Sequence, residues 1–420
     1  LILRPYQEHG RDFLAAKRRA LLADQMRVGK TPQAILGANK LGAERVLVVC
    51  PAIGGVHWQR ELDKWAPGVY PTHVLDRRGV PSWRRLGLVT SYEQAQRHKD
   101  ALSAARWDVL IIDECHYAKN PEAARTKLVY GKNGLGWHAD YIWSLSGTPA
   151  TKHAGELWAM FRAFGVVGMT YDEFTRRYCW FTDNNTIGGT REKMVPELRE
   201  LLAKVMLRRT RKDVAPEMPE IDFQFLEVNP RVKVESLAEG IPTQLSGEEL
   251  LNWLANNNET LAEYRRAVAV AKAPQLVEEV DFALESKQLD QTVVFGYHVE
   301  ALELIARQLM ERGWCVGLIT GKTSAKDRAK TQDLFRIGLI DVVVGNVIAA
   351  GTTIDLSTAR HGYFLELDWL PANNAQAASR LVSLDKKDPV TIDVCTWPGS
   401  TDSAVQSVLM RRTRELAKLY

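Results

Sequence analysis

The sequence has no pair of cysteines at CxxC spacing. Its five cysteines, at 50, 115, 179, 315 and 395, supply neither a zinc site nor a disulfide framework. An odd, dispersed set fits reduced thiols and a cytoplasmic setting. No apolar run reaches the ~18 residues that mark a membrane helix, so no membrane association is expected. The first residues, Leu1-Ile2-Leu3-Arg4, show neither a methionine nor the layout of a signal peptide, and a trimmed N-terminus is expected. There is no internal repeat and no low-complexity tract. Nor does one sign of charge dominate. Lys and Arg number 55 against 51 Asp and Glu, a net charge of +4, too small by itself to imply a polyanion partner.

What is present is a chain of 420 residues, long enough for two ordinary domains, with 45% hydrophobic and 25% charged residues. The basic residues cluster at Lys17-Arg18-Arg19, Arg77-Arg78, Arg84-Arg85, Arg176-Arg177, Arg208-Arg209, Arg211-Lys212 and Arg411-Arg412. Each cluster reads either as a solvated helix face or as part of a phosphate-binding groove. Apolar runs at Ala20–Leu22, Val46–Val49, Val109–Ile112 and Ile142–Leu145 alternate with helical stretches, which predicts an α/β lobe with buried parallel strands over 1–150. Helical spacing from Glu156 to Asp213, broken at Asn184–Gly189, predicts a helical protrusion and connection over 151–220. Pro216, Pro219 and Pro230 mark a connection between lobes. Residues 221–290 read as linker and a second helical protrusion, with Ser246 an N-cap and Glu249 three positions on. The alternation returns in Val293–Phe295, Val316–Ile319, Val342–Val344, Tyr363–Leu365 and Thr391–Val394, predicting a second α/β lobe over 291–420.

The sharpest local signal is Gly29-Lys30-Thr31, directly after the first predicted strand. Phosphate binding needs amides at a helix N-terminus, a cation for the outer oxygens and a hydroxyl for Mg²⁺. Gly29, Lys30 and Thr31 supply them in order, and Pro32 suits a first helical turn. The full GxxxxGK[ST] pattern is not met, because Asp24 holds the first glycine position. Context comes from Asp113-Glu114-Cys115-His116 at the end of an apolar strand. There Asp113 suits a Mg²⁺-holding carboxylate and Glu114 a base for the attacking water, where an isolated Asp-Glu would read only as a helix cap. ATP with Mg²⁺ is the cofactor this pairing predicts.

Together these motifs resemble the Swi/Snf-type DNA-dependent ATPases of helicase superfamily two, and the resemblance covers nearly the whole chain. Leu3-Arg4-Pro5-Tyr6-Gln7 resembles that family's opening segment, which implies that Arg4 and Gln7 meet the nucleotide, Gln7 at adenine. Leu22–Thr31 is similar to its LADEMGLGKT, where Asp24 is usual but Gln25 and Arg27 depart from Glu and Gly. Val49-Cys50-Pro51 with Trp58 and Trp65, then Thr90-Ser91-Tyr92-Glu93, resemble nucleic-acid-contacting segments. Asp113–Asn120 looks like the DEAHxxKN box, which implies DNA contact by Lys119. In Leu145–Pro149, matching motif III, the resemblance implies that Ser146, Gly147 and Thr148, bridged by His116, couple the γ-phosphate to movement. Met206–Val214, with Arg208 and Arg209, resembles another signature of this branch, as does the Arg265-Arg266 and Ala271–Pro274 segment of annealing-helicase-like members. In the second lobe, Thr320-Gly321-Lys322-Thr323 with Arg328, and Ala350-Gly351-Thr352-Thr353, look like motifs IV and V. Gln376-Ala377-Ala378-Ser379-Arg380 matches the start of motif VI.

The resemblance implies an α/β fold of two RecA-like (P-loop) lobes with parallel sheets and helical insertions. It implies hydrolysis of ATP between them, with Arg380 and Gln376 completing the site and Gly321, Lys322, Gly351 and Thr352 on nucleic acid. The expected partner is double-stranded or forked DNA, translocated or annealed by a monomer in a bacterial or phage-infected cell. Motif VI then departs. Its second arginine falls on Ser383 and the next positions on Asp385 and Lys386, while Thr353 replaces a glycine of motif V. Slow hydrolysis is the expected result, with Lys386 or Lys387 as partial substitutes, although an ammonium does not reproduce a bidentate guanidinium. Rival readings are an ATP-gated clamp that barely hydrolyses and a strand-separating DNA or RNA helicase. Trp58, Trp65, Trp83 and Trp107 read as core packing in preference to base-stacking platforms.

Overall fold

The apolar runs become parallel strands in the computed structural model, which describes residues 2–76, 79–232, 249, 253, 258–351, 354–402, 404–407 and 409–410. Contacts divide the chain into two compact units between Pro216 and Glu217, where the proline-marked connection begins.

The first unit is built on β1 (Arg19–Leu22), β2 (Arg45–Cys50), β3 (Thr72–Val74), β4 (Leu86–Ser91), β5 (Trp107–Asp113), β6 (Ala139–Leu145) and β9 (Met206–Leu207). They form one sheet in the order β3-β4-β2-β5-β6-β1-β9, with every pair parallel. Val46 to Cys50 and Val109 to Ile112 are fully buried, which is why these strands are unbroken apolar runs and not alternating ones. Helices α1 (Pro5–Ala16), α2 (Lys30–Lys40) and α3 (Gly55–Trp65) cover the sheet, with Leu14, Ile35, Trp58 and Leu62 in one apolar layer.

Residues 156–213 are not a purely helical insertion. Helices Trp158–Ala163, Tyr171–Tyr178 and Val195–Ala203 are present, but β7 (Cys179–Phe181) and β8 (Ile187–Thr190) form an antiparallel hairpin between them. The Asn/Gly break is its turn, with Asn185 left-handed at φ 55. Gly188 and Gly189 lie under the Trp180 ring, where a Cβ would collide with the indole. The same stretch ends in β9, whose Met206 and Leu207 align with Leu21 and Leu22. Two residues are too short a run for any periodicity to show.

The second unit carries β10 (Ile221–Glu227), β11 (Thr292–Gly296), β12 (Val316–Ile319), β13 (Val342–Asn346), β14 (His361–Phe364) and β15 (Val390–Thr396). Their order is β10-β15-β14-β11-β13-β12, again parallel throughout. β10 lies in the stretch read as linker, yet it pairs with β15 along its whole length, from Ile221 opposite Val390 to Glu227 opposite Thr396. Pro219 and Pro230 flank this edge strand without interrupting it, so prolines taken as breakers were strand boundaries. Helix Asn258–Glu285 runs through Pro274 and buries Tyr264, Val268, Leu276 and Val280 in the second core. Its fully buried Lys272 is matched by Asp402 at 2.8 Å. Ser246 lies outside the described residues; Glu249 is helical and exposed. Among the described residues no helix is long and apolar enough to cross a membrane.

Candidate nucleotide site

In the first sheet β5, β6 and β1 are neighbours, so the loops at their carboxyl ends meet. This is where open parallel sheets bind ligands. The β1 loop runs from Ala23 to Gly29, the N-cap of α2, with φ 81 and ψ 56. That left-handed turn aims the first amides of α2 away from its own chain, and only glycine adopts it without cost. Arg27 is also left-handed, at φ 69, and there the side chain costs about 1–2 kcal/mol. Lys30 Nζ crosses the loop to the Asp24 carbonyl at 2.9 Å. From α1, the Tyr6 hydroxyl and Gln7 Nε2 both donate to the Val28 carbonyl, at 3.0 and 3.2 Å, and Gln7 Oε1 accepts the Arg4 amide at 3.0 Å.

Asp24, fully buried, anchors this loop. Its carboxylate accepts Arg209 Nε at 2.9 Å, a second Arg209 contact through Nη2, and Gln33 Nε2 at 3.2 Å. Arg209 also donates to Gln33 Oε1 at 2.7 Å and to the Tyr6 carbonyl. Arg208 turns to the Ala23 and Gly147 carbonyls, at 3.3 and 3.1 Å. For this basic pair, read as a solvated face or part of a phosphate-binding groove, the contacts are internal: β9, laid beside β1, carries both arginines in behind the phosphate loop.

β5 delivers Asp113 and Glu114. Asp113 Oδ2 accepts the indole N–H of Trp58 at 2.7 Å, Oδ1 the Glu114 amide at 3.0 Å, and its carbonyl the Tyr92 hydroxyl at 2.9 Å. Trp58 is fully buried and Tyr92 nearly so, while Ser91 Oγ caps the helix Tyr92–Arg97 by accepting the Gln94 amide at 3.1 Å. The nucleic-acid contacts expected of Trp58 and Tyr92 are corrected accordingly. Trp58 takes the core reading, with a donor to the acidic box as its added part.

Burial, then the adjacent Glu114, push the Asp113 carboxyl up from 3.8 to about 6, against the pull of Trp58 and Lys30. A folded value above the free one means that Asp113 weighs against the fold as pH climbs through about 6. Trp58 limits that loss. Trp58→Phe should lower unfolding free energy by about 1.5–3 kcal/mol at pH 8, where the carboxylate is charged, and by clearly less at pH 5. Urea unfolding at the two pH values reads the difference, and an equal cost at both would refute it.

Glu114 is left-handed at φ 47, a conformation that a non-glycine residue holds only under constraint. His116 Nδ1 lies 3.2 Å from Glu114 Oε2 and 3.1 Å from Ser146 Oγ, which also accepts the Thr148 amide at 3.1 Å. The expected bridge from His116 to Ser146 is present. Gly147 packs on Met26 and Asp24 of the phosphate loop, where a Cβ would meet the Met26 side chain at 3.1 Å. Lys119, for which a nucleic-acid contact is expected, is paired with Glu156 at 2.8 Å.

In the second unit, Arg380 Nε donates to the Gly351 carbonyl at 2.8 Å, and Gln376 is buried. Lys386 does not stand in for the absent arginine. Its ammonium donates to the carbonyls of Ser357 and Leu381, at 2.8 and 2.9 Å, and of Ala359, and burial pushes it down to about 8. Gly321 and Lys322 are exposed beyond β12, and buried Arg328 donates to the carbonyls of Thr323, Thr320 and Ala349. Thr352, Thr353, Arg77, Arg78, Arg411 and Arg412 lie outside the described residues.

The donor set fits a nucleotide with Mg²⁺. Lys30 offers a cation, α2 its N-terminal amides, and Thr31 and Asp113 the hard oxygens that Mg²⁺ prefers. Among the described residues no group of three or more His, Cys, Asp or Glu is gathered for another metal. Two contacts escaped the sequence reading: Arg209 with Asp24 inside the site, and Glu156 with Lys119 beside it. The first had a signal, since an aspartate in place of a loop glycine after a buried strand needs a cation.

Comparison with known proteins matches residues 6–237 to the SNF2-related domain and residues 271–384 to the helicase conserved C-terminal domain. The chain is 26% identical over 429 residues to a SWI/SNF-related matrix-associated actin-dependent regulator of chromatin subfamily A-like protein 1 homolog of Caenorhabditis elegans, covering 99% of this chain and 61% of that protein. It is 27% identical over 440 residues to the DNA annealing helicase and endonuclease ZRANB3 of Mus musculus, covering 98% of this chain and 40% of that one. The chain thus spans 40 to 61% of these relatives. Among solved structures it is similar to a Sulfolobus solfataricus SWI2/SNF2 ATPase core in complex with dsDNA, at 22% identity and TM-score 0.47, covering 100% of this chain and 97% of that one.

Proposed function

The chain belongs to the SNF2-related family, and from that membership we propose that it is an ATP-driven motor that moves along or anneals double-stranded or forked DNA. One observation carries the reading. The Lys30 loop, the Asp113-Glu114 box and the Ser146 loop leave adjacent strands, with Glu114 and Ser146 sharing His116 between them. A group that activates water is thereby wired to a neighbouring loop.

Under this proposal Lys30 and the α2 amides bind the phosphates, Gln7 and Arg4 face the base, and Thr31 and Asp113 hold the metal. Bound Mg²⁺ would supply charge neutralisation on the phosphate oxygens. Glu114 orients the attacking water and accepts its proton, as positioning and charge stabilisation together require. Arg380 and Gln376 keep their proposed role as nucleotide ligands. Gly321, Lys322, Gly351 and Thr352 remain the proposed nucleic-acid contacts, and Ser91, whose Oγ accepts a helix amide, still has its O–H to donate to a phosphate. The name of the annealing-helicase relative supports DNA over RNA.

The test is ATP turnover without nucleic acid and with blunt duplex, forked duplex, single-stranded DNA or RNA. Stimulation by duplex and forked DNA above the rest is expected, with Lys30→Ala abolishing turnover and Arg380→Ala lowering it. Equal stimulation by RNA would remove the DNA assignment. ATP-dependent DNA binding with no turnover on any substrate would favour the clamp.

A further inference from the structure

Glu156 lies outside every group assigned so far, yet it is the most heavily engaged carboxylate near the site. It sits in the short 3-10 turn Ala154–Leu157 and is 8% exposed. Its Oε1 pairs with Lys119 Nζ at 2.8 Å. Its Oε2 accepts the amides of Thr151 and Lys152, the latter at 3.0 Å, and the Thr151 hydroxyl at 3.1 Å. Lys119 Nζ also donates to the Thr151 hydroxyl. Burial alone would raise this carboxyl, but Lys119 and the Thr151 amide outweigh it and hold it below its usual value.

These contacts join two loops beyond the point where their strands, β5 and β6, stop pairing at Asp113 and Leu145. Lys119 closes the 3-10 turn Cys115–Ala118 of the acidic box, and Thr151 and Lys152 belong to the loop that leaves β6. At the near end the loops meet through His116 and Ser146, next to Glu114. At the far end they meet through Lys119, Glu156 and Thr151. The β6 loop is also held to β1 through the Ser146 amide and to Arg208 through the Gly147 carbonyl, but neither contact reaches the acidic box. The contacts at the near and far ends make the loops a single body.

We propose that Glu156 is a positioning residue that locks the acidic box to the Ser146–Thr151 loop, so that DNA engagement reaches Glu114 only while the Lys119–Glu156–Thr151 contact is intact. The inference rests on the motor reading above. Glu156 lies beside the site and not in it, touching none of the proposed nucleotide or metal ligands, so its loss is expected to spare the basal reaction and strike its stimulation.

The test compares the full chain with Glu156→Gln, Thr151→Val and the double variant Lys119→Met/Glu156→Gln. Basal turnover, turnover at saturating duplex DNA, the DNA concentration at half-stimulation and the melting temperature are read for each. Glu156→Gln is expected to keep basal turnover while its stimulation falls roughly tenfold, within the range of measured coupling energies. Half-stimulation should occur at unchanged DNA concentration. Thr151→Val, which keeps the ion pair, should lose part of the stimulation with a smaller drop in melting temperature than Glu156→Gln. The double variant removes both charges and should recover stability over Glu156→Gln without recovering stimulation. Full stimulation in Glu156→Gln, or its return with stability in the double variant, overturns the proposal. Absence of DNA stimulation in the unaltered chain sinks the motor reading first, and this one with it.

Discussion

Glu114→Gln lowers ATP turnover by roughly 10²- to 10⁴-fold while ATP stays bound, the loss typical of removing a general base. Gln keeps the shape and can still donate or accept a hydrogen bond, but it cannot take a proton from water. The left-handed backbone at φ 47 is set by the end of β5 and the turn after it, so the substituted side chain starts from the same place. His116 Nδ1, 3.2 Å from Glu114 Oε2, would still find an amide oxygen there. Fluorescent-nucleotide binding alongside steady-state turnover separates the two effects. Turnover within a fewfold of the unaltered chain would mean that another group activates the water.

The second large effect is on stability. Arg209→Met should cost about 3–5 kcal/mol of unfolding free energy, because it leaves a buried carboxylate without its cation. Asp24 has no exposed surface, and its remaining side-chain donor is Gln33. Lys30 Nζ rests on the Asp24 carbonyl, so the same change loosens the phosphate loop and should raise the ATP concentration needed for half-maximal turnover. The double variant Asp24→Asn/Arg209→Met carries no stranded charge and should regain much of the loss. Denaturant melts of the single and double variants decide the matter. Equal destabilisation in both would show that packing, not charge, is what Arg209 provides.

Lys30, Thr31, Asp113 and Glu114 were legible in the sequence because their chemistry is local. Each follows directly on an apolar strand, and adjacent strands in a parallel sheet present their following loops together. The central strands were legible for the same reason, since burial on both faces leaves an uninterrupted apolar run. The inward partners of Arg208 and Arg209 were not legible, because a basic pair shows charge but not direction. Only the pairing of Met206 with Leu21 shows that they point inward. The partners of Trp58 and Lys119 were not legible: the indole N–H and the ammonium meet Asp113 and Glu156, 55 and 37 positions away in the chain. β10 was hidden by its edge position, where the alternation Ile-Asp-Phe-Gln-Phe between prolines looks like a connection. Lys386 looked available for phosphate until burial and its carbonyl partners were known.

The pairing of β9 with β1 also sets a timetable. Arg209 stands 185 positions after Asp24, so the first sheet lacks its last strand until nearly the whole unit has been made. At ordinary synthesis rates that interval is on the order of 10–40 s. Throughout it the β1 edge is open and the Asp24 carboxylate has no guanidinium to enter the interior with. The phosphate loop is therefore expected to mature late in its unit, after the sheet around it.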